Sequence, residues 1–91
     1  MLPGVELRHL LAVTVLAEEL NFTRAANRLH ITQPALSKQI IELEAECQFL
    51  LFTREKRRIV ELTDAGRLFV AEARASLSHR ELVCRWQLES G

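Results

Sequence analysis

The chain has 91 residues, 48% hydrophobic and 5% aromatic, and its 12 Lys and Arg balance 12 Asp and Glu. A chain of this length makes one small domain that buries roughly 60 to 70 per cent of the surface its unfolded form exposes, and plentiful Leu, Ala, Glu and Arg favour a mainly α fold. Nothing approaches the ~20 apolar residues that span a membrane, the start lacks a signal-peptide core, and Cys47 and Cys84 stand far apart without zinc-ligand spacing, so a cytoplasmic protein with two reduced packing cysteines is expected.

Met1 to Gly4 is a short lead with no pattern. From about residue 6 to 19 a first helix is predicted, with Leu7, Leu10, Leu11, Thr14 and Ala17, joined by Val13 and Leu16, making a wide apolar face. Leu20-Asn21-Phe22 breaks it, and Thr23 is the expected N-cap of the second helix. In residues 22–46 the apolar positions are Ala25, Ala26, Leu29, Ile31, Leu36, Ile40 and Leu43. Within each half they recur at three and four residues, one face of a helix, and the period breaks at residues 29–32. Thr32 supplies a capping hydroxyl there. Pro34 fits the first turn, where its missing N–H costs nothing. A third helix is therefore predicted over about 33–46. Ala25 and Ala26 let the two helices cross closely, the helix-turn-helix arrangement.

With Leu36, Ile40 and Leu43 inward, the opposite face shows Gln33, Ser37 and Lys38. Those side chains suit base reading: Gln bonds adenine in bidentate fashion, Lys reaches guanine acceptors or phosphate, and Ser bonds either. Pro34 is first a helix-start residue and secondarily a contact for a thymine methyl. Thr32 is mainly a cap, although a capped helix start also meets phosphate. Arg24 and Arg28, on the second helix, are candidates either for phosphate contact or for a surface salt bridge.

Beyond the third helix, two short apolar runs flank Glu55-Lys56-Arg57-Arg58 and fit a two-stranded hairpin. Alone it would be marginal in water, but Phe52 and Leu62 are placed to pin it to the helices. Arg54, Lys56, Arg57 and Arg58 at its tip and flank are candidates for phosphate or narrow A·T minor-groove contact. Thr63 is predicted to cap a last helix of about 25 residues with Asp64 in its first turn. Its stripe of Leu68, Phe69, Ala73, Leu77, Leu82 and Trp86 is too long for so small a domain to cover, so a homodimer through this helix is expected. The end at residues 89–91, straight after a helical pattern, suggests a chain cut at a domain boundary.

Charge follows this division. Residues 23–58 hold seven basic and four acidic side chains, against one and three before them and four and five after. The distribution, more than the zero sum, bears on a nucleic-acid partner. His9, His30 and His79 are scattered, and no nucleophile and base share a face or loop. Neither an enzyme nor a cofactor is expected, and His30 reads as a turn residue.

The runs ELRHL, AEELNFTRAANRLHITQPALSKQI and LTDAG, in that order and at these distances, resemble the DNA-binding domain of LysR-type transcriptional regulators over residues 5–77. The resemblance implies a winged helix-turn-helix in residues 1–62 and a linker helix in 63–91 that pairs two subunits. It also implies double-stranded DNA as partner, and a larger effector-sensing domain that this chain stops short of. A two-fold dimer implies an inverted-repeat site, A·T-rich where Arg enters the minor groove. Two departures from the family pattern stand out. Ala12 and Val13 replace its mid-helix aromatics, implying a core repacked around Leu11 and Leu16. Gln48 replaces the Gly that follows the third helix, so that either the turn is strained or the helix ends differently. The competing reading is a winged-helix protein-interaction module that pairs through its last helix without binding DNA.

Overall fold

The computed structural model describes residues 4–55 and 59–90, with side chains for 4–53 and 61–77. Four helices and one hairpin follow in the order α1 (Leu7–Glu19), α2 (Phe22–Leu29), α3 (Gln33–Cys47), β1 (Phe52–Glu55), β2 (Ile59–Leu62) and α4 (Asp64–Ser90). This is the predicted mainly α arrangement with a two-stranded wing.

α1 is the hub, packed against α2, α3 and α4. A helix enclosed on three sides buries more than one stripe. Its buried set is His9, Leu10, Ala12, Val13, Thr14 and Leu16. Leu10, Val13, Thr14 and Leu16 are buried as expected, and the face is corrected at three places: Ala12 is wholly buried, whereas Leu11 stays 40% exposed and Leu7 lies out with it. The two buried polar residues are both partnered. Thr14 Oγ1 donates to the Leu10 carbonyl at 2.8 Å. His9 Nδ1 accepts the Glu6 amide proton at 2.9 Å, so Nε2 carries a proton and meets the Glu42 carboxylate of α3 at 3.4 Å. His9 thus straps α1 to α3.

α2 starts two residues earlier than a Thr23 cap would place it. Asn21 Oδ1 accepts the Arg24 amide at 2.9 Å, and Asn is at least as good a cap as Thr. At α3 the expected cap is present, with Thr32 Oγ1 accepting the Ala35 amide at 3.2 Å and Pro34 in the first turn. Each of the first three helices ends on a left-handed residue other than glycine: Leu20 (φ 51), His30 (φ 57) and Gln48 (φ 62). The Gln48 amide still closes the last turn onto the Glu44 carbonyl at 2.8 Å. The helix therefore ends where expected, on a residue strained by about 1 kcal/mol. Gln48→Gly is expected to stabilise the protein by up to about 0.6 kcal/mol, the relief of that strain less the added freedom of the unfolded chain. A urea midpoint that falls would show that the left-handed turn carries less strain than this.

The wing pairs antiparallel, Phe52 with Leu62 through Glu55 with Ile59. Phe52 is buried and Leu62 packs against the core, so the pinning residues are those expected. Two further anchors hold it. Glu44 Oε2, on α3, accepts the amides of Leu51 and Phe52 at 2.8 and 3.3 Å. On the other side Thr63 Oγ1 accepts the Gly66 amide at 2.9 Å, the predicted cap, and donates to the Leu50 carbonyl at 2.6 Å. The Thr63 amide adds a bond to the Leu51 carbonyl at 3.0 Å. A Cβ on Gly66 would lie 2.1 Å from that same Leu51 oxygen, so glycine is required there by close approach.

Along α4, Val70 and Ala73 join the core, Phe69 and Leu77 are partly buried, and Leu68 is 73% exposed. Ala73 is fully buried within its own chain, which corrects its place in the expected dimer stripe: the side chain has no surface left to offer a second copy. The side chains of Leu82 and Trp86 lie outside the described residues. Cys47 is a buried free thiol; burial, then Glu46 and Glu44, push its pKa up, which keeps it protonated and poorly nucleophilic. The Cys84 side chain lies outside the described residues. Among the described residues, no helix is long and apolar enough to cross a membrane.

Candidate nucleic-acid interface

The turn between α2 and α3 is His30, Ile31 and Thr32. Left-handed His30 closes it, with the Ile31 amide donating to the Ala26 carbonyl at 3.0 Å. Ala25 and Ala26, both buried, supply the smooth surface for the crossing. Leu36, Ile40 and Leu43 are each fully buried behind α3. That leaves the leading turn of α3 outward: Thr32, Gln33, Pro34 and Lys38 are exposed and Ser37 is half-buried. Arg24 is exposed as well, and none of the ion pairs among the described residues engages it. The structure thus brings Arg24, Thr32, Gln33, Pro34, Ser37 and Lys38 to the outer side of one helix pair. The Arg54 side chain and the whole of Lys56, Arg57 and Arg58 lie outside the described residues.

Arg28 takes the second of its two sequence readings. Its Nη1 meets Glu18 Oε1 at 2.7 Å and Glu19 Oε2 at 3.0 Å, and those two carboxylates raise its pKa. Glu18 also faces Arg74 of α4 at 4.0 Å. The cluster joins the end of α1 to α2 and α4 and neutralises Arg28. A contact that sequence reading missed lies on the outer face itself: Gln33 Nε2 donates to Thr23 Oγ1 at 2.5 Å, bridging α3 and α2. The signal was Asn21, a better cap than Thr23 two residues earlier, which releases the Thr23 hydroxyl for another partner.

Three helices, a pinned hairpin and an exposed third-helix start define a winged helix-turn-helix. The matching family is described as "Bacterial regulatory helix-turn-helix protein, lysR family", over residues 7–67, and the chain belongs to that family. It is 55% identical over 69 residues to the HTH-type transcriptional regulator CatR of Pseudomonas putida, covering 76% of this chain and 23% of that protein. With AlsR of Bacillus subtilis (strain 168) it shares 51% over 73 residues, 80% of this chain and 24% of the relative. The chain thus spans about a quarter of the length of these curated relatives, which are transcriptional regulators. Among solved structures, a crystal structure of the BenM DNA-binding domain with benA site 1 DNA superposes with a TM-score of 0.88 at 37% identity, covering 96% of this chain and 100% of that one. The CbnR DNA-binding domain in complex with DNA gives 0.80 at 38% identity, covering 94% of each chain.

Proposed function

We propose that this chain is the sequence-specific DNA-binding part of a LysR-type transcriptional regulator, working in the cytoplasm and not as an enzyme. Residues 1–62 form the reading unit, with residues 33–46 laid in a major groove and the wing at the neighbouring minor groove. Residues 63–91 form the linker that pairs two copies, through exposed Leu68 and partly buried Phe69 and Leu77, continued by Leu82 and Trp86. A pair related by a two-fold axis would read an inverted, A·T-rich repeat. Gln33, Ser37 and Lys38 reach base edges with Pro34 beside them, Thr32 and Arg24 take phosphates, and Arg54, Lys56, Arg57 and Arg58 hold the backbone or minor groove. An effector enters only through a further domain of the kind that longer relatives have room for.

The observation that carries this reading is the leading turn of α3, polar and open to solvent, with Leu36, Ile40 and Leu43 anchoring it from behind. The test is a gel shift on duplexes selected from a random pool, repeated across a salt series. If a dimer makes about eight phosphate contacts, log K falls against log salt with a slope of about −7. Gln33→Ala is expected to cost about 1–3 kcal/mol on the matched site and to relax discrimination at its base pair. Binding of Gln33→Ala equal to wild type on matched and mismatched sites alike would remove Gln33 from base reading. Absence of any retardation at low salt would remove the DNA reading as a whole.

A further inference from the structure

We propose that Thr23 is the positioning residue for base reading, its hydroxyl fixing how the Gln33 carboxamide is presented to the major groove. The role rests on the DNA-binding reading and deepens it. Its structural basis is the bond from Gln33 Nε2 to Thr23 Oγ1 at 2.5 Å, between two exposed side chains on different helices. Thr23 is free for this because Asn21, not Thr23, caps α2. Among the described residues its side chain makes no other hydrogen bond.

The chemistry of the pair decides which bases suit it. An exposed glutamine samples many rotamers, and ordering its side chain costs conformational entropy; a bond already made in the free protein removes part of that cost. A carboxamide offers two N–H donors and one oxygen acceptor, and a hydroxyl both donates and accepts. Which end of the carboxamide faces Thr23 therefore depends on where the hydroxyl proton goes. Thr23 lies in the first turn of α2, the end of a helix that attracts phosphate. Once the Thr23 hydroxyl donates its hydrogen bond to a phosphate oxygen, only its lone pairs face Gln33. The nitrogen is then held inward and Oε1 is turned toward the groove. An outward acceptor meets the exocyclic amine of adenine or cytosine, with the remaining N–H available to adenine N7, and is mismatched against guanine O6 or thymine O4. The phosphate contact thereby sets the polarity of the base reader.

The experiment compares wild type, Thr23→Val, Thr23→Ser, Gln33→Ala and the Thr23→Val/Gln33→Ala double variant. Each is titrated against a duplex selected by the wild type and against the same duplex with the base pair under Gln33 exchanged between A·T and G·C. The ratio of the two Kd values is the readout. Thr23→Val is expected to shrink that ratio on the order of tenfold, Thr23→Ser to keep it, and Thr23→Val to leave it unchanged once Gln33 is alanine. Thr23→Val that weakens both duplexes equally, with the ratio intact, overturns the role and makes Thr23 a phosphate contact alone. A second arm needs no DNA. The Gln33 side-chain amide signals in a 15N spectrum should sit away from those of exposed glutamines in wild type and Thr23→Ser, and move to them in Thr23→Val. Signals that do not move overturn the role even if DNA binding stands. A wild type that binds no duplex at low salt sinks the DNA reading and this role together, a failure distinct from an unchanged ratio.

Discussion

Leu36→Ala is expected to destabilise the protein by about 2–5 kcal/mol, the cost of removing a fully buried leucine and leaving a cavity that its neighbours fill only in part. Leu36 has no solvent exposure and stands in the first turns of α3, directly before Ser37 and Lys38. A chain of this size has roughly 5–14 kcal/mol of stability to lose, so a loss at the upper end of the range would bring a protein at the lower end of that window to its unfolding midpoint. Leu36→Met, which keeps the volume, should cost under about 1.5 kcal/mol. Urea unfolding of the two variants checks this. A Leu36→Ala loss below that of Leu36→Met would mean that α3 does not rest on this side chain, and the outward placement of Gln33 and Lys38 would lose its support.

Gly66→Ala separates local preference from tertiary packing by the sign of its effect. In an exposed helix, exchanging glycine for alanine stabilises by up to about 1 kcal/mol. Here the new methyl would lie 2.1 Å from the Leu51 carbonyl oxygen, which is held in place by the Thr63 amide at 3.0 Å. A backbone oxygen cannot swing aside as the tip of a side chain does, so a loss of about 3 kcal/mol is expected, the upper end for overpacking. The same urea experiment measures it, and a gain in stability would show that α4 and the approach to the wing are not in close contact.

The parts legible from the sequence were those where one residue's neighbours lie within one turn of it. The Leu36, Ile40 and Leu43 period fixed the inward face of α3, and Thr32 with Pro34 fixed its start, because capping acts over three residues. Phe52 and Leu62 were placed by the two short apolar runs that flank a charged link. The misplaced parts depend on what comes to lie alongside. α1 has three neighbours, and a periodic pattern identifies one face, so Leu11 was put in the core and Ala12 was read only as a departure from the family. Ala73 was assigned to a second copy because the packing of α4 onto α1 has no local signature. Glu44 and Thr63 act on the approach to the wing across 7 to 13 positions in sequence, beyond the reach of motif spacing. On the exposed side of α2 and α3, which residues face solvent was readable and their mutual contacts were not: the Thr23 and Gln33 bond spans ten residues.

The Glu44 carboxylate fastens the approach to the wing onto the same rod that carries Gln33, and Thr63 fastens it from the far side. In the proposed complex, the two grips on the duplex then move as one body, with a fixed gap between them. Such a caliper cannot adjust to a helix whose groove spacing differs; the duplex must flex to fit it. Base pairs lying between the grips, touched by no side chain, would then influence affinity through their stiffness.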